Sequence, residues 1–147
     1  MLNKFRQFSA MKKNDRRLFV RIALILPFVE IGLRLFGFNR LLKFLRRFAI
    51  VKSSAQKHRQ EVERHRRFMF LFYEHFPFAG KCLARALTLW LLLERKGIET
   101  NLRFGIRKED GKLLAHAWVE HKGKPLTVDP EVEQQYPWIY EPITLKH

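Results

Sequence analysis

Residues 98–129 read IETNLRFGIRKEDGKLLAHAWVEHKGKPLTVD. Ile98, Thr100, Leu102, Phe104 and Ile106 alternate with Glu99, Asn101, Arg103, Gly105 and Arg107, the period of a half-buried strand. Asp110-Gly111 is the dipeptide of a two-residue hairpin turn. The next run alternates again, with Leu113, Ala115, Ala117 and Val119 on one face and Leu114, His116, Trp118 and Glu120 on the other. Lys122-Gly123 turns the chain a second time, and PLTVD reads as a third strand. A two-residue first loop makes opposing residue numbers sum to 221. Ile106 then meets Ala115, Phe104 meets Ala117 and Leu102 meets Val119, so the apolar faces coincide and the register is self-consistent. A two- or four-residue second loop gives a sum of 245, which sets His116 opposite Asp129. Their Cβ atoms would lie about 4.5–5.5 Å apart on one face of the sheet.

Just upstream, residues 77–97 read PFAGKCLARALTLWLLLERKG. Pro77 and Gly80 punctuate the chain, and a strongly apolar helix is expected from near Cys82. Leu83, Leu87 and Trp90 share one face of it, with Ala86 and Leu93 beside them. Arg95 and Lys96 suit the C-terminal end of the dipole, and Gly97 is the expected stop. Cys82, the only cysteine in the chain, thus falls at a helix N-terminus, where backbone N–H groups favour a thiolate. One thiol excludes an internal disulfide framework and a multi-cysteine zinc site, and no metal or cofactor is expected. The chemistry that fits is nucleophilic. Cys82 attacks a carbonyl, His116 takes its proton and returns it to the leaving amine, and Asp129 orients the imidazole. Gly105 faces His116 and leaves room for the helix end. Arg103 faces Trp118, an expected cation–π pair shielding the site; Trp118, Arg103 and Gly105 are the candidate substrate-binding residues. Asp110 is an alternative acid, but its place beside Gly111 makes it a turn residue.

The 147 residues carry a formal net charge of +15, of which +14 falls in residues 1–67. An anionic or acidic partner follows from that asymmetry. Asn14 and Asp15 are plausible caps for a first helix. Residues 18–38, LFVRIALILPFVEIGLRLFGF, are long enough to span a bilayer, but Arg21, Glu30 and Arg34 each oppose insertion, by about 2.5–3.5 kcal/mol near the centre. Glu30 and Arg34 can pair at i,i+4, and Pro27 should kink or split the helix. A helix packed on a core or a partner fits this segment better than one lying on a membrane surface, and a span fits least. Asn39 can cap the next segment, in which Leu41, Phe44, Leu45 and Phe48 share a face. Ser53 or Ser54 opens a third helix running to about His75, with Val62, Met69 and Phe72 as its core stripe. His58 and His65, seven apart, have no carboxylate or cysteine nearby to complete a metal set. No strand pattern precedes residue 98, which excludes a winged-helix module in the front half. A long basic leader without a small-x-small site does not resemble a secretory signal, so a cytoplasmic location is expected, with residues 18–50 able to touch a membrane.

The stretch from Lys81 to Asp129 also resembles the transglutaminase-like cysteine peptidases of lasso-peptide biosynthesis. The matching motifs are Cys82-Leu83-Ala84-Arg85, Arg103-Phe104-Gly105-Ile106, His116 to Glu120, and the later Asp129. The resemblance covers about residues 77–140. It implies an α+β fold in which a Cys-bearing helix packs on a small antiparallel sheet, with residues 1–75 a basic helical region and 76–147 the peptidase core. It implies a Cys82–His116–Asp129 triad that removes the leader from a ribosomally made precursor. It also implies a small leader-binding recognition protein, fused in front or encoded separately, and a separate ATP-using enzyme that closes the macrolactam; with no winged-helix pattern in the front half, the recognition protein is expected as a separate chain. Ala86 stands where serine is frequent, and no glutamine lies between Val62 and Cys82 to serve a papain-like oxyanion hole. Two alternatives stay open: acyl transfer to an amine by the same triad, and a nucleic-acid-binding protein driven by the basic front half. The latter lacks aromatic–basic interleaving on a sheet and any recognition motif, so nucleic acid is not the expected partner.

Overall fold

Helix α3 (Cys82–Glu94) is the hub of the molecule. From Ala84 onward nearly its whole circumference is buried, because a helix apolar all round must be enclosed on every side. The computed structural model describes residues 12–49, 58–75, 81–126 and 132–143, which form an α+β fold. Helices α1 (Lys13–Ala49) and α2 (His58–His75) pack on one side of α3, and strands β1 (Asn101–Glu109) and β2 (Lys112–His121) on the other. One buried cluster draws on all of them. Gly97, with φ 70°, stops α3 as expected: its N–H and that of Ile98 close on the carbonyls of Glu94 and Leu93 at 2.8 and 3.1 Å. The buried Glu94 carboxylate then accepts both the N–H and the hydroxyl of Thr100, each at 3.0 Å. These charge-assisted bonds fix where the strand begins relative to the helix.

The sheet has the order β3-β2-β1-β4, with β3 at Lys124–Pro125 and β4 at Trp138–Ile143. Every β1–β2 pair obeys the sum of 221, from Asn101 with Glu120 to Glu109 with Lys112. Asp110 and Gly111 both have positive φ (50° and 76°), as do Lys122 and Gly123 (51° and 72°), which is the requirement of type I′ turns. Glu120 pairs with Pro125 and His121 with Lys124, and the Leu126 N–H reaches the Val119 carbonyl at 2.9 Å. The sum of 245 therefore holds as far as Leu126; the rest of the expected third strand, Asp129 included, lies outside the described residues. Two features correct the sequence reading. Trp118 and Glu120, read as the polar face, are 0% and 1% exposed, because that end of the sheet is covered on both sides. And β4 was not anticipated: Pro142 interrupts its alternation, yet a proline is tolerated on an edge strand. A short helix, α4 (Val132–Gln135), leads into it.

In α1 the break falls at Gly37 (φ 73°, ψ 171°), not at Pro27, which lies inside the helix. Proline removes one N–H but keeps a helical φ, whereas only glycine takes this extended positive-φ geometry without strain. Helix resumes directly after Gly37, so Asn39 lies within the second arm and is not its cap. The two arms fold back on each other: the rings of Phe28 and Phe44 are 6.3 Å apart, and a Cβ on Gly32 would meet Leu41 Cδ1 at 2.8 Å. No described helix is long and apolar enough to cross a membrane. The α1 N-terminus begins at Lys13, so Asp15 sits in its first turn, where it binds Arg64 of α2 at 2.7 Å.

On α2 the stripe Val62, Met69 and Phe72 is buried as its spacing predicts, and His65 is buried with it at 2% exposure. Its Nδ1–H donates to the Glu61 carbonyl at 2.7 Å. Burial pushes the His65 pKa down from 6.5, and burial does the same to His116. Both imidazoles thus bind a proton less readily folded than unfolded. Their stabilities are intact above about 6.5 and are lost as the pH descends from there toward the folded values. The melting temperature is expected to fall between pH 7 and pH 5, and His65→Leu should flatten that slope in a calorimetric pH series.

Candidate active site

Cys82 is the first residue of α3 and is a half-buried free thiol. Lys81 before it is extended (φ −72°, ψ 162°) and offers no side-chain cap. A helix start needs acceptors for its unpaired N–H groups, and one comes from a distant part of the chain. Glu30 of α1 accepts the Lys81 N–H at 3.2 Å through Oε2, while its Oε1 binds Arg34 at 3.1 Å. The first arm of α1 is thereby tied to the residue ahead of the thiol.

His116 lies on β2 opposite Gly105, half-buried between aromatic rings. Tyr136 stacks on it with centroids 5.3 Å apart and planes 22° apart, and Trp118 at 6.1 Å and 23°. Its pKa is lowered first by burial and then by the positive charges of Arg85 and Arg107. Arg85 is on the same first turn of α3 as Cys82 and lies over the Tyr73 ring at 3.7 Å. Arg107 lies over the Tyr136 ring at 5.0 Å and binds Glu109 at 3.0 Å. The Arg85 guanidinium, from the first turn of α3, thus acts on the imidazole, which is held neutral near pH 7. A neutral ring is the form that accepts a thiol proton.

The other expected residues take these places. Asp129 lies outside the described residues. Arg103 is opposite Trp118 as the register requires, but the expected cation–π pair is replaced by a shared carboxylate. Arg103 Nε donates to Glu120 at 2.8 Å and Trp118 Nε1 to the same group at 3.1 Å. A buried acid demands donors, and these two supply them. Trp118 is fully enclosed, so it bears on the site through the His116 stack. Gly105 is buried under Tyr136 and Trp118: a Cβ there would fall 2.6 Å from Tyr136 Cβ and 3.0 Å from two Trp118 ring carbons. Gly105→Ala must displace that stack, so a loss of about 1–3 kcal/mol in urea unfolding is expected. Among the described residues, no three His, Cys, Asp or Glu groups gather as a metal set.

A family model of the transglutaminase-like superfamily matches residues 25–141. The chain belongs to that superfamily. The match crosses residue 75 and takes in most of α1 and all of α2 as well as the helix and strands that carry the thiol and imidazole. Transglutaminase-like proteins are commonly cysteine peptidases and acyltransferases of the Cys–His–Asp type. No curated protein and no solved structure matches the chain. Within this transglutaminase-like core, the sequence reading missed four contributors: Glu30, Arg85, Arg107 and Tyr136. Only Arg85 carried a signal, as the last residue of the Cys82-Leu83-Ala84-Arg85 motif. The other three act through contacts that local patterns do not report: Glu30 reads only as a partner of Arg34 and Arg107 only as a position in the strand alternation, while Tyr136 has no pattern.

Proposed function

We propose that this chain is a cysteine peptidase that removes the leader from a ribosomally synthesised precursor during lasso-peptide maturation. The observation that carries the reading is a half-buried free thiol at the head of a buried helix in a chain of the transglutaminase-like superfamily, with a half-buried His116 whose pKa is lowered in part by Arg85 of that helix's first turn. His116 takes the Cys82 proton as sulfur attacks the scissile carbonyl carbon. The Cys82 N–H is one donor to the resulting oxyanion. Collapse of that intermediate breaks the C–N bond, and His116 protonates the departing amine. Water, deprotonated by the same imidazole, then releases the leader from the thioester. Asp129 is the orienting acid in this proposal, supported by the 245 register that the described ladder obeys.

Residues 76–147 carry the chemistry, and the basic helical region 1–75 serves recruitment. The partners are a separate leader-binding recognition protein and the ATP-dependent macrolactam synthetase that uses the freed amine, all acting in the cytoplasm. The test is incubation of the full chain and the recognition protein with the precursor encoded beside it, read by mass spectrometry. Separate leader and core fragments support the proposal. An intact precursor overturns it, and a leader joined to an added amine replaces it with acyl transfer.

A further inference from the structure

The buried stripe of the first α1 arm, Leu18, Ile22, Leu26 and Val29, has an exposed apolar counterpart on the opposite side. Val20, Leu24, Phe28, Ile31 and Leu35 follow at steps of four, four, three and four residues, which keeps them on one face of a helix. All five are exposed, Leu24 and Leu35 to 69% and 70%. The returning arm extends the same surface. The Phe44 ring touches Phe28, and the Phe48 ring lies 5.0 Å from Phe44. Phe36, also exposed, sits at the bend. An ordinary monomer does not leave so many large apolar groups contiguous in water.

The charge around this ridge has one sign. Arg34, Arg40, Lys43, Arg46 and Arg47 are exposed on the two arms. The two acids of α1, Asp15 and Glu30, are engaged by Arg64 and by Arg34 with the Lys81 N–H. We propose that the hairpin seats the protein on an anionic lipid bilayer, its ridge in the boundary between headgroups and acyl chains and its cations at the phosphates. Two features favour a lipid surface over a protein partner. Both arms lie side by side, so one plane receives both apolar rows, and the exposed cations on the same two arms are placed to meet lipid phosphates. Glu30, on the arm that carries the ridge, also accepts the Lys81 N–H ahead of α3, so that arm is tied to the entry of the helix that bears the candidate thiol. This inference is independent of the peptidase reading.

The test is co-sedimentation of the full chain with vesicles of phosphatidylcholine alone or with about one-third phosphatidylglycerol. Binding to the anionic vesicles is expected, weakened by at least about tenfold in F28S/F44S/F48S and in L24S/L35S. All five positions are exposed, and unchanged melting curves verify that the variants fold. Cys82→Ala should bind as the parent does, which separates this inference from catalysis. Equal binding by the ridge variants and the parent would reduce the attraction to diffuse charge and overturn the proposal. So would absence of vesicle binding, or loss in the ridge variants of recognition-protein or self-association alone.

Discussion

Cys82→Ala is expected to leave the precursor uncut, with turnover reduced by at least about 10⁴-fold. The chain holds no other thiol, so nothing else can form the thioester. The substitution is gentle on the fold. Cys82 is half-buried at the first position of α3, makes none of the bonds that close that helix start, and alanine is the best helix former. Circular dichroism and the melting temperature should therefore match the parent. Alkylation of the parent by iodoacetamide should abolish cleavage in step with modification of Cys82, read by peptide mapping. Cleavage that survives in the alanine variant, at the parent's site and rate, would remove the thiol from the mechanism and end the peptidase reading.

The second large effect is expected at His116. His116→Ala should lower kcat/KM by about 10³–10⁴-fold, the range for loss of a general base that also serves as acid. The pH profile carries the sharper signature. Burial, then Arg85 and Arg107, hold the His116 pKa below 6.5. The acid limb of kcat/KM should therefore lie below the ordinary imidazole range, and activity should persist into mildly acidic buffer. Arg107→Ala removes one of the two positive charges, so the limb should move up toward 6.5. A limb unmoved by that substitution would show that the titrating group is not this imidazole.

The antiparallel ribbon was legible because its signals were local. Strict alternation over Ile98–Arg107 and two glycine-containing turn dipeptides determine register by counting, and every described pair obeys it. What escaped depends on contacts between distant segments. Trp118 and Glu120 alternate like solvent-facing residues, yet a second layer buries them; period two reports which face a residue is on, not what covers that face. The β4 strand escaped because its proline breaks the pattern and its edge position forgives it. Propensity places the α1 break at Pro27, the stronger helix breaker, whereas the chain turns back through the positive φ of Gly37. Glu30 was read as a local partner of Arg34, which it is; its bond to the Lys81 N–H spans 51 positions and no window contains it.

That long-range bond means that the thiol's footing is not contained in the segment that carries Cys82 and His116. A carboxylate answers at once to a neighbour on its own helix turn and to the backbone just ahead of the sulfur. If the two proposals above hold, anchoring and turnover meet at that carboxylate.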